Sequence, residues 1–356
     1  MRILFPLILV GILLIICAII DQIFIRVLRL FVEHRLSNII RFSLMAFWAV
    51  LIVGGVLWGH YITRLQVEVR EAEIVSSRVP ESMDGLRIVH ISDFHIGSMN
   101  SAEGRVLCHD IIDRILELKP DMVCFTGDIV TIRSAELRPF LPELKRLGDS
   151  GIPVYSILGN HDYADYQWDF TPERRQQDVD SLRQMQTAAG WQMLDNRSVW
   201  FSRGSDSILI TGVGNIGEPP FTTYGSLSDA MQEVGGIAAL DSVFTVLLSH
   251  NPRHWRDEVL PRTRIDLMLA GHTHAWQFRI FGWSPSRYKY PECDGLYSES
   301  ENRSESTSLE STSLESTSLD SIASRYLYVN TGLGCTGPTV RIGVKPEITL
   351  LRLVRK

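Results

Sequence analysis

Apolar residues are distributed along this 356-residue chain in two different ways. In the first 62 residues they form long unbroken runs. Residues 3–20 (ILFPLILVGILLIICAII) and 43–59 (SLMAFWAVLIVGGVLWG) contain no charged side chain. A helix needs about 20 apolar residues to cross a bilayer, so each run predicts a membrane span. Residues 21–41, between them, mix large apolar side chains with Arg26, Arg29, Arg35 and Arg41. That mixture predicts an amphipathic helix lying on the membrane surface. The first run lacks the strongly basic leader and the A-x-A cleavage site of a signal peptide.

From about Leu86 the pattern changes to short β-branched runs alternating with helix-periodic stretches. LRIVHISD, DMVCFTGD and GIPVYSILGNHD read as buried strands. Between and after them, EGRVLCHDIIDRILELK, SAELRPFLPELKRLGDSG and TPERRQQDVDSLRQMQTAAG read as helices. The last of these has Thr171 and Pro172 as its cap and first residue. SILITGVG, SVFTVLLSHNP, IDLMLAGH, YLYVNTGLG and PEITLLRLV supply further strands. The alternation predicts an α/β layered fold with a largely buried sheet. The chain therefore divides into a membrane anchor (1–62), a linker with a first strand region (63–85) and a main domain (86–356). Residues 305–319 repeat ESTSL three times. Poor in large apolar residues, they predict a disordered insertion over 299–324.

Composition changes this picture little. Against 35 basic residues stand 41 acidic ones, a balance that offers no basic footprint for nucleic acid. The five cysteines fit neither a CxxC motif nor a disulfide framework, and Cys17 and Cys124 read as buried free thiols. The four arginines between the apolar runs argue that this connector faces the cytoplasm. Two full crossings would then put the main domain outside, whereas a single crossing or a re-entrant anchor would leave it cytoplasmic.

The candidate chemistry sits where strands end. One strand runs into Asp93-Phe94-His95, the next into Gly127-Asp128, the third into Gly159-Asn160-His161-Asp162. Two later ones end in Ser249-His250-Asn251 and Gly271-His272-Thr273-His274. Any one cluster is an ordinary turn. Five together, each at a strand's carboxyl end where α/β folds build ligand crevices, point to a site. Asp93, His95, Asp128, Asn160, His250, His272 and His274 are good donors to divalent metals, and their carboxylate, amide and imidazole mixture suits Mn²⁺, Fe or Zn²⁺. Seven donors are too many for one ion. Two ions sharing a carboxylate would use them all, as in displacement at phosphorus.

The series D-x-H, G-D, G-N-H-D, H, G-H-x-H over 86–356 resembles the calcineurin-like metallophosphoesterase superfamily. The resemblance implies a four-layer αββα sandwich. It implies that Asp93, His95 and His274 hold one metal, that Asn160, His250 and His272 hold a second, and that Asp128 bridges them. It implies a catalytic His161 facing the phosphate, with Asp162 orienting its ring, and two divalent ions, Mn²⁺ foremost. Ser/Thr protein phosphatases of this superfamily read G-N-H-E with an arginine close after G-D. Here Asp162 replaces the Glu and Arg133 falls one position late.

The anchor, LRIVHISDFHIG, KYPECDGLYSES and LYVNTGLG…RIGVKPEI are similar to bacterial membrane-associated phosphoesterases, which include an enzyme cleaving UDP-2,3-diacylglucosamine in lipid A synthesis. That likeness implies a nucleotide-linked lipid substrate at the cytoplasmic face of the bacterial inner membrane. Trp276, Phe278, Phe281, Trp283, Tyr288 and Tyr290 are candidates to line an acyl groove. A broad-specificity phosphodiesterase on soluble esters is the alternative. The intact donor set argues against a catalytically dead scaffold.

Overall fold

The computed structural model describes residues 4–300 and 324–356. The ESTSL repeats lie outside the described residues. Two long helices open the chain, α1 (Leu4–Leu28) and α2 (His34–Tyr61), packed on each other as a hairpin. Both are long and apolar enough to cross a membrane, and their apolar side chains are largely exposed. The expected surface helix over 21–41 is not a separate element. α1 runs on from the first apolar run through Arg26 to Leu28, the chain turns over 29–33, and α2 already begins at His34. The arginines therefore gather at the hairpin turn, where Arg29 Nη2 donates to Asn38 Oδ1 (2.8 Å).

Among the described residues twelve strands follow. In chain order they are β1 (Glu68–Ser76), β2 (Arg87–Ile91), β3 (Met122–Phe125), β4 (Val154–Ser156), β5 (Gln192–Met193) and β6 (Arg197–Arg203). The remainder are β7 (Asp206–Gly212), β8 (Thr245–Leu248), β9 (Leu267–Ala270), β10 (Gly295–Ser300), β11 (Ser324–Val329) and β12 (Glu347–Arg355). They form two six-stranded sheets, ordered β1-β12-β2-β3-β4-β5 and β10-β11-β9-β8-β7-β6. An apolar layer between the sheets joins Ile88, Cys124 and Leu351 of the first to Ile210, Val246 and Leu269 of the second. Helices α3 (Ala102–Glu117), α4 (Leu141–Gly148) and α5 (Pro172–Ala188) cover the first sheet's outer face, through Leu107, Ile111, Leu144 and Leu182. Short helical turns around Leu227–Met231 and Trp255 cover the second. The result is the αββα sandwich.

The predicted helix over 134–151 is broken. Only α4 is α-helical, preceded by two short turns, Ser134–Glu136 and Arg138–Phe140. Pro139 and Pro142 lack the N–H donors a continuous helix needs and disfavour helical backbone before them. β1 joins the first sheet as a parallel partner of β12. β10 and β11 pair antiparallel, from Gly295 opposite Val329 to Ser300 opposite Ser324.

Candidate metal centre

Strands β2, β3 and β4 run parallel in one sheet, as do β7, β8 and β9 in the other. Their carboxyl ends therefore face one edge of the sandwich, and the loops leaving them converge there. Asp93, His95, Asp128, His250 and His274 are buried, and Asn160, His161 and His272 are half-buried. All nine residues singled out by sequence come together at this edge.

The polar atoms form two abutting groups. In one, His274 Nε2 lies 3.1 Å from Asp93 Oδ1 and 3.1 Å from His95 Nε2. In the other, Asn160 Oδ1 lies 3.1 Å from His250 Nε2 and 2.8 Å from His272 Nδ1. Asp128 Oδ2 sits between them, 3.4 Å from His95 Nε2 and 3.2 Å from His250 Nε2. His161 also approaches His95 and Asp128 within 4.8 Å. Its Nδ1 lies 2.6 Å from the Thr131 carbonyl, which as acceptor leaves Nε2 toward the cleft. His250 is held the same way, with Nδ1 2.7 Å from the Thr126 carbonyl. Such backbone acceptors orient imidazoles for metal binding.

The local backbone is built for close approach. Asp93, His95, Asp128, His272 and His274 all have positive φ, between 38° and 71°. Non-glycine residues rarely adopt this region, and such strain concentrates at functional sites. Gly271 precedes His272 because a Cβ there would stand 2.0 Å from Ser92 Oγ and 2.2 Å from Asp93 Oδ2. Gly159 answers the same need, since its Cβ would lie 2.3 Å from Asp128 Oδ1.

The electrostatics ask for positive charge. Burial works against ionisation of both carboxylates. Even so, His274 and His250 hold Asp93 below the usual carboxylate range, and His250 and His161 do so for Asp128. Burial pushes His95 well below its ordinary value, and burial with a charged His250 pushes His272 down to about 3. At His250 burial is outweighed by Asp128 and Asp93, which raise it to about 9. Asp93 Oδ1 is buried and makes no hydrogen bond of good geometry, although His274 Nε2 stands 3.1 Å away. Two carboxylates and several imidazoles with facing nitrogens are thus stable together only around cations. A proton on His250 meets that demand in part, and divalent metals fit it better.

Asp162 corrects the sequence expectation. Its carboxylate does not touch the His161 ring. Oδ2 accepts the N–H groups of Asp128 (2.8 Å) and Gly159 (2.9 Å), and Oδ1 accepts that of Val130 (3.1 Å). Burial and the charge of Asp128 push its pKa up to about 8, against the pull of the Gly159 and Val130 amides. The Asn160–Tyr163 segment is a tight turn, which aims Asp162 inward while the His161 ring faces the cleft. Asp162 is a buttress joining two site loops.

Three further residues at the site had no metal or catalytic role assigned from sequence, and of these Tyr166 lies in no motif. The Tyr166 ring stacks on His161 with centroids 4.4 Å apart, and its hydroxyl accepts from Asn160 Nδ2 at 2.7 Å. Tyr290, expected as a groove residue, places its hydroxyl 3.0 Å from His272 Nε2. Buried Arg341 donates to the carbonyls of Thr331, Gly332, Gly334 and Lys345, bracing the loop behind Asp93 and His274. Above the cluster opens a cleft of about 380 Å³, also lined by Trp276, Lys289 and Pro338.

Residues 86–276 match the calcineurin-like phosphoesterase family model. Over 320 residues the chain is 28% identical to an uncharacterized metallophosphoesterase, YkuE, of Bacillus subtilis, covering 88% of this chain and 94% of that protein. It is 28% identical to a transmembrane protein with metallophosphoesterase domain of Danio rerio, covering 79% of this chain and 56% of that one. It is also 28% identical to the UDP-2,3-diacylglucosamine pyrophosphatase LpxG of Chlamydia trachomatis, covering 76% and 84%. With its paired sheets, membrane helices and Asp/His cluster, the chain belongs to the calcineurin-like phosphoesterase family, as a membrane-associated hydrolase of phosphoester bonds.

Proposed function

We propose that this enzyme hydrolyses the pyrophosphate of a nucleotide-linked lipid, UDP-2,3-diacylglucosamine, to UMP and 2,3-diacylglucosamine 1-phosphate, at the cytoplasmic face of a bacterial inner membrane. One observation carries the reading: the cleft over the Asp/His cluster opens beside Trp276 in a domain packed against the end of a membrane helix. The likeness to LpxG supports it. Asp93, His95 and His274 would hold one divalent ion, Asn160, His250 and His272 a second, with Asp128 shared. Mn²⁺ is the first choice, Fe or Zn²⁺ the alternatives. When bound, such ions supply Lewis acidity at phosphorus and lower the pKa of water.

The chain's own groups do the rest. His161, fixed through Nδ1 on the Thr131 carbonyl, presents Nε2 to a phosphoryl oxygen and can hand a proton to the leaving oxygen. Stacking on Tyr166 limits its ring rotation. Asp162 keeps Asp128 and the Gly159 turn in register.

A second reading is favoured by the arginines at the hairpin turn. Basic residues prefer the cytoplasmic side. If both helices cross, the turn is cytoplasmic and the domain lies outside, where it would act on other phosphodiesters.

The experiment uses detergent-solubilised enzyme with Mn²⁺ and UDP-2,3-diacylglucosamine, with products identified by mass spectrometry and Asp128→Asn as control. UMP and the acylated 1-phosphate, lost in the variant, are expected. Mutant-sensitive hydrolysis of bis(p-nitrophenyl) phosphate without turnover of the lipid would reject this substrate and leave the second reading.

A further inference from the structure

Beside the cleft, the chain makes a tight turn whose composition is odd for a water-facing surface. Ile280 and Trp283 bond each other's backbone in both directions (2.9 and 3.0 Å), with Phe281 and Gly282 at the tip. Both tip residues have positive φ, 50° and 79°. Turns of this kind favour Asn-Gly, and an aromatic residue in the left-handed region is strained. The strain serves to point Phe281 outward, fully exposed (104%). Ile280, Trp283 and Trp276 are also exposed, and so is Tyr288 (84%), edge-on to Trp283 at 5.9 Å. A contiguous exposed apolar group of this size marks an interaction surface.

Its neighbours say what covers it. Gln277 Nε2 donates to the carbonyls of Pro338 and Val340 (3.0 and 3.2 Å). The same strip meets the end of α2: the Gly59 carbonyl accepts from Arg341 N–H (3.3 Å), and His60 Nδ1 lies 2.7 Å from the Thr339 carbonyl. Arg279, next to Ile280, shares a groove with Gly55 and Trp58 of α2. The aromatic turn is therefore continuous with the membrane hairpin. Residues 42–63 contain no Asp, Glu, Lys or Arg. Those within α2, up to Tyr61, measure about 30 Å as a helix, matching the ~30 Å of a bilayer core. That register brings the bilayer edge to Trp58–Ile62, the level at which the domain and its turn are attached. Exposed Arg287 follows four residues after Trp283 and exposed Lys345 lines the Arg279 groove, both suited to anionic headgroups.

We propose that the Ile280–Trp283 turn is a membrane-docking element. Phe281 and Trp283 insert among the lipid headgroups of the leaflet that α2 leaves, holding the mouth of the metal cleft against the bilayer so that an amphipathic phosphoester enters from the lipid phase. The proposal rests on the membrane-facing reading of the enzyme and does not need its particular substrate.

The test places an NBD fluorophore on the full-length protein at Phe281→Cys, in a Cys17→Ser background, reconstituted into phosphatidylethanolamine/phosphatidylglycerol vesicles with or without brominated lipid. Ser205→Cys, exposed at the other end of the second sheet, is the comparison. A blue-shifted emission quenched by bromolipid at 281, and not at 205, is expected. Solvent-like, unquenched emission at 281 overturns the proposal. In parallel, Phe281→Asp/Trp283→Asp is expected to slow hydrolysis of a vesicle-embedded lipid substrate about ten-fold or more while leaving bis(p-nitrophenyl) phosphate turnover unchanged. Equal loss on both substrates would also overturn it. The label needs no substrate, so failure of the UDP-lipid reading leaves this result interpretable.

Discussion

Asp162→Asn separates two roles for one carboxylate. In the structure Asp162 holds three backbone N–H groups, those of Asp128, Gly159 and Val130, and is buried. Asparagine has nearly the same shape. Its oxygen can keep the two donors that share Oδ2, but its amide nitrogen then faces the Val130 N–H, donor against donor. Losing one buried bond and leaving the Val130 N–H without an acceptor costs about 1–3 kcal/mol. At about 2–4 °C per kcal/mol for a domain of this class, the melting point falls roughly 2–12 °C. Asp162→Ala loses all three bonds and falls further. Because Asp128 and Asn160 sit on the tied loops, bound Mn²⁺ should fall as well. Scanning fluorimetry of the detergent-solubilised protein and elemental analysis of its metal content read both effects. If Asp162 instead acted through the His161 ring, turnover would drop while melting point and metal content stayed put. That outcome would refute the buttress argument.

Other consequences follow from the same geometry. His161→Ala should keep the melting point and metal content and lower kcat by about 10²–10⁴-fold, the range for a general acid–base group. Gly271→Ala forces a Cβ against Ser92 and Asp93, so it should abolish metal uptake even though alanine is the smallest possible change. A conservative loss of activity with full metal content would count against it. Chelation should lower the melting point and Mn²⁺ restore it. Ligand at about 100 times its Kd adds about 2.7 kcal/mol, and Asp128→Asn should show no such recovery. An Arg341→Ala protein loses donors to four carbonyls and leaves a buried gap. It should unfold at lower denaturant concentration by about 3 kcal/mol or more, with His274 the first ligand to loosen.

Much of this protein is legible in its residue order, for reasons that are local. Uncharged runs long enough for a bilayer mark the two membrane helices, because helix length and apolarity are properties of a segment alone. Strands β2, β3, β4, β8 and β9 announce themselves as short apolar runs, and each ends in a donor because a parallel strand's carboxyl end opens to the crevice. The glycines before Asp128, Asn160 and His272 are legible in the same way, since only glycine tolerates such crowding. What the tertiary structure decided is long-range. Residues 21–41 look amphipathic by themselves, yet become the ends of two longer helices, because each apolar run's hydrogen-bond ladder carries on into them and breaks only over 29–33. Asp162 stands beside His161 in sequence, but a tight turn sends the two side chains in opposite directions. Tyr166 reaches the site from a segment with no motif and Arg341 from a late motif with no donor role, through stacking and buried carbonyl contacts that spacing does not encode. The exposed aromatic turn reads as core or groove from its composition. Only the packing of Gln277 and Arg279 against the strip that holds α2 brings it beside the membrane helix, because contact between residues 59 and 341 is fixed by the fold and not by the chain between them.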